Sequence, residues 1–311
     1  MTRAVVFAYH NVGVRCLRVL LAHGVDVPLV VTHEDRPDET IWFASVAATA
    51  ADFGIPVIAP NDPNTPELAA RIAALAPDFL FSFYYRRMLK PPLLALPARD
   101  ALNMHGSLLP KYRGRAPVNW AVLNGEHETG ATLHRMTARP DAGDVVAQIA
   151  VPILPDDDAR EVFDKVTVAA EIALDGVLPA LLAGTAPYRP QDGTRASYFG
   201  GRGPEHGRID WTCDAMTIHN LVRGVAPPYP GAFTTIGGLP ARVLRTRVLD
   251  RESAPTPTPA ISFHDGRATA RCGAGGMLDL LALEIDGMVT APAALAMRLG
   301  SATEPLNGAG R

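Results

Sequence analysis

Short apolar runs alternate with stretches of helical spacing through the first hundred residues. Residues 5–8 and 27–31 read as buried strands, and the stretch between them, 13–22, is compatible with a helix. Runs 57–59, 79–83 and 101–105 continue the strand series, with alanine-rich helical segments at 43–53 and 66–75. This alternation predicts an α/β fold, Rossmann-like, with a mainly parallel sheet covered by helices on both faces. Two more apolar runs, 131–134 and 145–149, precede a helix-compatible stretch, 158–182, that ends near Gly184. Residues 185–207 are rich in Gly, Pro and polar types and read as a loop or linker. A helix within 211–225 and a turn forced by Pro227-Pro228-Tyr229-Pro230-Gly231 follow. The short runs 233–236, 241–248, 268–272 and 277–283 then predict a small β domain, with 251–259 as a surface loop and 299–311 as a fraying end. The expected organisation is a catalytic domain over 1–184, a linker over 185–207 and a C-terminal β domain over 208–311.

Chemistry concentrates where the strand at 101–105 ends. Asn103-Met104-His105-Gly106-Ser107-Leu108-Leu109-Pro110 runs into Lys111-Tyr112-Arg113-Gly114-Arg115-Ala116-Pro117, and Asp141-Ala142-Gly143-Asp144 lies downstream. Residues two apart in a strand share a face, so Asn103 and His105 reach one pocket near the strand's carboxyl end, where open α/β sheets bind ligands. Asp141 comes from a polar loop between two apolar runs and joins them only through folding. An amide, an imidazole and a carboxylate together can polarise a carbonyl, carry a proton and tune the carrier, which points to acyl-group chemistry. Singly, an Asn or His beside a turn is also an ordinary backbone cap, and Asp before Ala-Gly a turn former.

Asn103-x-His105, the following Ser-Leu-Leu-Pro-x-Tyr-Arg-Gly and Asp141-x-Gly143 resemble the folate-dependent formyltransferase family. The resemblance extends through Val5-Val6-Phe7-Ala8-Tyr9-His10, Phe81-Ser82-Phe83-Tyr84-Tyr85-Arg86, Thr132-Leu133-His134-Arg135-Met136 and Pro230-Gly231-Ala232-Phe233, and fades after about residue 248. It implies 10-formyltetrahydrofolate as cosubstrate and an open-barrel form for the C-terminal domain. It implies that Asn103 stabilises the formyl oxygen, that His105 donates or shuttles a proton, and that Asp141 raises the His105 pKa. It also implies folate contacts at Arg87, Met88, Leu89, Arg115, Thr137, Ala138, Arg139, Pro140 and Asp141; Met88 and Leu89 are equally compatible with the core, and Arg115 with a solvated surface.

The branch of the family that modifies methionyl-tRNA opens with Gly-Thr-Pro and reads Arg-Gly-Ala-Ala-Pro, where this chain has Tyr9-His10-Asn11 and Arg113-Gly114-Arg115-Ala116-Pro117. The chain is instead similar to the formyltransferase half of bifunctional polymyxin-resistance enzymes. That likeness implies UDP-4-amino-4-deoxy-L-arabinose as acceptor, on a route to lipid A modification. The decarboxylase half of such enzymes is not among these 311 residues, so the decarboxylation would fall to a separate protein. Three readings stand: a sugar-nucleotide N-formyltransferase, a methionyl-tRNA formyltransferase, and a noncatalytic folate- or nucleotide-binding module.

Composition narrows the partners. With 48% hydrophobic residues the chain has ample core, and its length favours two domains. A net charge of −3 gives no support for nucleic-acid binding. No apolar run approaches the roughly 18–20 residues of a membrane span, and the cytoplasm is the expected location. Cys16, Cys213 and Cys272 are odd in number and far apart, and the histidines form no HExxH or Cys/His cluster, so neither a disulfide framework nor a metal is expected. The first strand lacks G-x-G-x-x-G, which argues against a dinucleotide cofactor.

Overall fold

A computed structural model describes residues 1–37 and 39–306. In chain order the elements are β1 (Arg3–Ala8), α1 (His10–Ala22), β2 (Asp26–Val31), α2 (Val46–Asp52), β3 (Val57–Ile58), α3 (Pro66–Ala74), β4 (Phe79–Phe83), α4 (Pro91–Leu94) and β5 (Asp100–His105). Then come β6 (Arg113–Gly114), α5 (Pro117–Leu123), β7 (Glu128–Arg135), β8 (Val145–Pro152), α6 (Ala159–Ala183), β9 (Tyr198–Phe199) and α7 (Ala215–Gly224). The chain continues as β10 (Ala232–Ile236), β11 (Leu239–Asp250), β12 (Ala260–His264), β13 (Arg267–Arg271), β14 (Met277–Ile285), β15 (Met288–Thr290), α8 (Pro292–Leu299) and β16 (Thr303–Pro305).

Two compact units emerge. The first comprises Met1–Pro117, Glu128–Pro152 and Phe163–Gly200; the second comprises Val118–His127, Ile153–Val162 and the chain from Gly201. In the first, seven strands run in the order β3-β2-β1-β4-β5-β7-β8. The pairs from β3 to β5 are parallel, whereas β5–β7 and β7–β8 are antiparallel. The mixed α/β architecture agrees with the sequence reading. β1 and β4 are buried at nearly every position, as parallel strands covered on both faces must be. Phe79, Phe81 and Phe83 alternate along β4, share a face and stack at 5.6 and 5.4 Å.

Residues 185–207, read as a linker, divide between the units after Gly200. Arg189 exchanges backbone hydrogen bonds with Val145, and β9 pairs with β6, so the segment up to Gly200 belongs to the fold of the first unit. Backbone pairing outweighs a loop-like composition there. Helix α6 lies where 158–182 was expected to be helical, and by length and composition it is apolar enough to cross a membrane. In the structure 44% of its most apolar stretch is buried, and its Glu171 and Asp175 pair with Arg15 of α1 and with His23 just beyond that helix.

The second unit is an antiparallel sheet in the order β10-β11-β14-β13-β12-β16, with β15 on β14, around a core that includes Trp211, Ile218, Val243, Leu278 and Leu295. Its β12, α8 and β16 were not anticipated. The expected fraying end instead contributes β16, paired with β12, and Leu306, which is 3% exposed and donates its amide to Pro259 O; residues 307–311 lie outside the described residues. Leu306→Ala is therefore expected to cost about 2–5 kcal/mol. Urea unfolding checks it, and an unchanged midpoint would return this segment to a loose tail.

Candidate active site

The change from parallel to antiparallel pairing builds the site. β5 meets β7 with Asn103 opposite His134 and His105 opposite Thr132. Directly opposed residues project from the same face, so all four side chains line one side of the joint. Thr132 then fixes the turn beyond β5. Its hydroxyl donates to Ser107 O at 2.6 Å and accepts from the Leu109 amide at 3.2 Å and from Gln148 Nε2 at 2.8 Å. The strand end thus becomes a rigid platform for His105.

The structure brings Asn103, His105 and Asp141 into one cluster, with His134 as a fourth member. His105 Nε2 lies 2.8 Å from Tyr112 O, and a carbonyl only accepts, so that nitrogen carries the proton. Nδ1 then faces Asp141 Oδ1 at 3.6 Å. His134 is tied the same way: Nδ1 donates to Arg135 O at 2.9 Å, leaving Nε2 to accept from Asn103 Nδ2 at 3.1 Å, with Asp141 Oδ1 3.5 Å away. Asp141 has a left-handed backbone, φ 53°, and its Oδ2 accepts from the Gly114 amide at 2.8 Å. Gly114 must be glycine to make this contact. Its φ is +100°, and a side chain there would collide with Phe199 O.

Further residues hold the carboxylate. Gln191 Nε2 donates to Asp141 O at 2.9 Å and Gly143 O at 2.6 Å, while its Oε1 accepts from buried Arg113 at 3.2 and 2.7 Å. Arg113 also donates to the Tyr198 hydroxyl at 2.7 Å. Sequence reasoning missed Gln191 and His134. The alternation of β7 could have shown His134 once the register was known; Gln191 carries no local signal, because it reaches the site from a segment read as linker.

Burial dominates the electrostatics of His105. It pushes the imidazole below its ordinary value; Asp141 and the Tyr112 carbonyl act upward but do not offset it. Asp141 therefore works in the expected direction without producing the expected net rise. Burial alone would raise the Asp141 carboxyl, yet His105, His134 and the Gly114 amide together hold it well below the carboxylate range. The resting pair is a neutral imidazole, protonated at Nε2, beside a carboxylate.

The residues assigned to folate divide by environment. Thr137, Ala138, Arg139 and Pro140 are exposed on the loop leading to Asp141, with Thr137 Oγ1 donating to Arg139 O. Arg115 is exposed, and the Arg139 guanidinium lies 5.2 Å from the Tyr198 ring centre. Met88 is 56% exposed, whereas Leu89 is buried in the core with Leu80 and Leu93 and offers a ligand only its backbone. Arg87 points elsewhere, donating to Pro60 O at 3.4 Å. Beside the cluster, Tyr84 holds a left-handed φ of 57°, and its hydroxyl lies so near Gly106 that a methyl group at 106 would overlap it. Among the described residues no group of three or more His, Cys, Asp or Glu is arranged to hold a metal, and all three cysteines are free thiols.

A family model described as formyl transferase matches residues 16–178, more than half the chain, and one described as formyl transferase, C-terminal domain, matches residues 203–298. The chain belongs to the formyl transferase family. Among solved structures it is similar to an N-formyltransferase from Helicobacter canadensis in complex with folinic acid and dTDP-3-aminofucose: 21% identity, 90% of this chain and 99% of that one, TM-score 0.72. WlaRD, a sugar 3N-formyl transferase crystallised with dTDP and 5-N-formyl-THF, shares 19% identity over 90% of this chain and 97% of its own, TM-score 0.70. HypX from Aquifex aeolicus in complex with tetrahydrofolic acid shares 17% over 96% of this chain and 47% of its own, TM-score 0.62. At these identities the likeness is one of fold.

The depressed His105 pKa has a consequence for stability. Above its ordinary value of 6.5 the ring is neutral in both folded and unfolded chains; below it the unfolded ring takes a proton that the folded ring refuses. The folded state therefore loses stability as pH falls from about 6.5 toward the lower folded value. His33, pushed down to about 4, and His219, also lowered, add slope of the same sign. His105→Gln is expected to lessen the fall in unfolding free energy between pH 7 and 5 without abolishing it. A slope as steep as that of the unsubstituted protein in urea titrations at each pH would contradict this.

Proposed function

We propose that the protein transfers a formyl group from 10-formyltetrahydrofolate to the 4-amine of UDP-4-amino-4-deoxy-L-arabinose. The observation that carries the formyl-transfer step is the Asn103, His105, His134 and Asp141 cluster at the carboxyl end of β5 in a member of the formyl transferase family. The choice of acceptor rests on Tyr9-His10-Asn11 and Arg113-Gly114-Arg115-Ala116-Pro117, with support from a net charge of −3 that offers nothing to a tRNA backbone. Solved structures of the same fold, one described as an N-formyltransferase and one as a sugar 3N-formyl transferase, hold folates together with a dTDP-linked amino sugar or dTDP.

The exposed loop suits a folate. Arg115 and Arg139 provide planar cations for its glutamate carboxylates, Met88 an apolar surface, and the loop at 137–140 backbone groups for a heterocycle edge. When bound, the cosubstrate supplies an activated formyl carbon. Asn103 Nδ2 donates to the formyl oxygen as that oxygen takes on negative charge, while His134 Nε2 keeps the amide aimed. His105 receives the proton of the attacking amine at Nδ1, where Asp141 stabilises the imidazolium so formed, and passes it to the departing nitrogen. Because burial keeps the resting ring neutral, His105 acts first as a base.

Mass spectrometry of reactions with formylfolate and separate acceptors tests the assignment. One formyl group is expected on the sugar amine of the UDP-linked acceptor, with methionyl-tRNA inert under matched conditions. Formylation of tRNA alone would replace this reading by the tRNA one, and activity on a different amino sugar alone would keep the chemistry and reject the acceptor. Asn103→Ala and His105→Ala should each lower turnover on the order of 10²- to 10³-fold. Asp141→Asn removes the charge that lifts His105, so the His105-dependent limb of the pH–rate profile should move to lower pH. An unmoved limb would make Asp141 a loop anchor only.

A further inference from the structure

A cavity opens at the carboxyl ends of β1, β2 and β3, two strands away from the catalytic joint in the sheet order. Its volume is about 350 Å³, within the roughly 300–1,000 Å³ typical of small-molecule pockets. One part of the lining is apolar: Val46, Ala47, Val57, Ile58 and Ala59. The other is polar: Tyr9, Thr32, His33, Glu34, Asp35 and Ser45. Both carboxylates are exposed at the cavity mouth, and one of them is oriented by a neighbour. The Tyr9 hydroxyl donates to Asp35 Oδ1 at 2.6 Å, which leaves the second oxygen of Asp35 for other donors. His33 accepts the Arg86 amide at 3.0 Å and stacks on Tyr85 with ring centres 4.1 Å apart; burial and the neighbouring Arg86 and Arg87 keep it neutral, with its pKa pushed down to about 4.

We propose that this cavity is the ribonucleoside subsite of the nucleotide-sugar acceptor. Glu34 and Asp35 receive the ribose 2′- and 3′-hydroxyls, and the base lies against the apolar side. The proposal rests on the acceptor class given above and adds where its nucleoside sits. Three considerations carry it. Carboxylates in a cavity repel phosphate and a folate's glutamate tail but accept hydroxyl donors, so the occupant is the uncharged, hydroxyl-bearing part of a ligand. In doubly wound sheets an acidic side chain beyond the second strand is the group that reads ribose hydroxyls, and Glu34 and Asp35 follow β2 in that position. No glycine run follows β1 to cradle a dinucleotide pyrophosphate, so the cavity takes a single nucleoside.

The spacing fits the reaction. From β2 to β5 are three strand intervals, β2–β1, β1–β4 and β4–β5, or roughly 14 Å at about 4.8 Å each. A diphosphate bridge and a sugar ring cover that length, which brings the sugar amine to Asn103 and His105 while the nucleoside stays in the cavity. The phosphates then lie over β1 and β4, outside the carboxylate-lined space, on the side where Arg87 follows β4. Arg87 borders the cavity: its guanidinium bonds Pro60 O, next to the lining residue Ala59.

Titration calorimetry with UMP and 2′-deoxy-UMP tests the subsite on the full chain. UMP should bind at least about tenfold more tightly, the effect of one hydrogen bond to a charged group, and Glu34→Gln with Asp35→Asn should bring the ratio close to one. Ala47→Trp, which fills the cavity, should abolish UMP binding and leave folate binding intact, as followed by folate fluorescence. Equal affinities in the unsubstituted protein, or a ratio untouched by the paired substitution, would overturn the subsite. Failure of the acceptor reading looks different: a preserved UMP preference without formylation of any UDP-linked amino sugar would uphold the ribonucleoside cavity and remove the acceptor, whereas formylation with no ribose preference would do the reverse.

Discussion

The site depends on the register in which β5 meets β7. Had the strands paired one residue out of step, Asn103 and His105 would face away from His134 and Thr132, because side chains alternate across a sheet with a period of two. The register is held from several sides. Thr132 bonds the turn after β5, Gln148 reaches across from β8, and Arg135, opposite Leu102, holds Asp100 at the start of β5 through hydrogen bonds of 2.9 and 3.0 Å. Parallel strands need long crossovers between them, whereas antiparallel ones close through a short loop. Because β7 runs against β5, it ends with Arg135 opposite Leu102, and the loop that follows sets Asp141 beside His105 and His134.

Asp141 and His105 illustrate how burial and charge compete. A buried carboxylate is costly unless its charge is met, and Asp141 accepts from the Gly114 amide and lies beside two imidazoles that favour its charge once either takes a second proton. A buried imidazole resists protonation, and the carboxylate lessens that resistance without removing it. The outcome is a base that is neutral at rest and has a stabilising charge waiting for its protonated form. The Asp141 loop stays in place because Gln191 links its carbonyls to buried Arg113, which also donates to the Tyr198 hydroxyl.

Much of this was legible along the chain. The period-two and helical patterns gave β4 its observed limits and the other sheet strands to within a few residues, because buried parallel strands leave dense apolar runs. Asn103-x-His105 announced a shared face. Contacts set by tertiary pairing were not legible. His134 looks like one more residue of an apolar run until β7 is laid against β5, and Gln191 lies in a stretch whose composition signals a loop. The end of the chain misled for a related reason: β16 is three residues long and has strand character only because β12 is there to pair with it. The direction of the His105 shift also needed the fold, since sequence identifies a neighbouring carboxylate but not how deeply the ring is buried.

The central claim is that His105 rests as a neutral base, protonated at Nε2 and lifted by Asp141. Nitrogen-15 NMR of the histidine rings across a pH titration, with His105 assigned by its loss in His105→Gln, tests this most directly. The account predicts an Nε2-protonated ring that titrates below the ordinary histidine value, and lower still in Asp141→Asn. An Nδ1-protonated tautomer, or titration above the ordinary value, would contradict it.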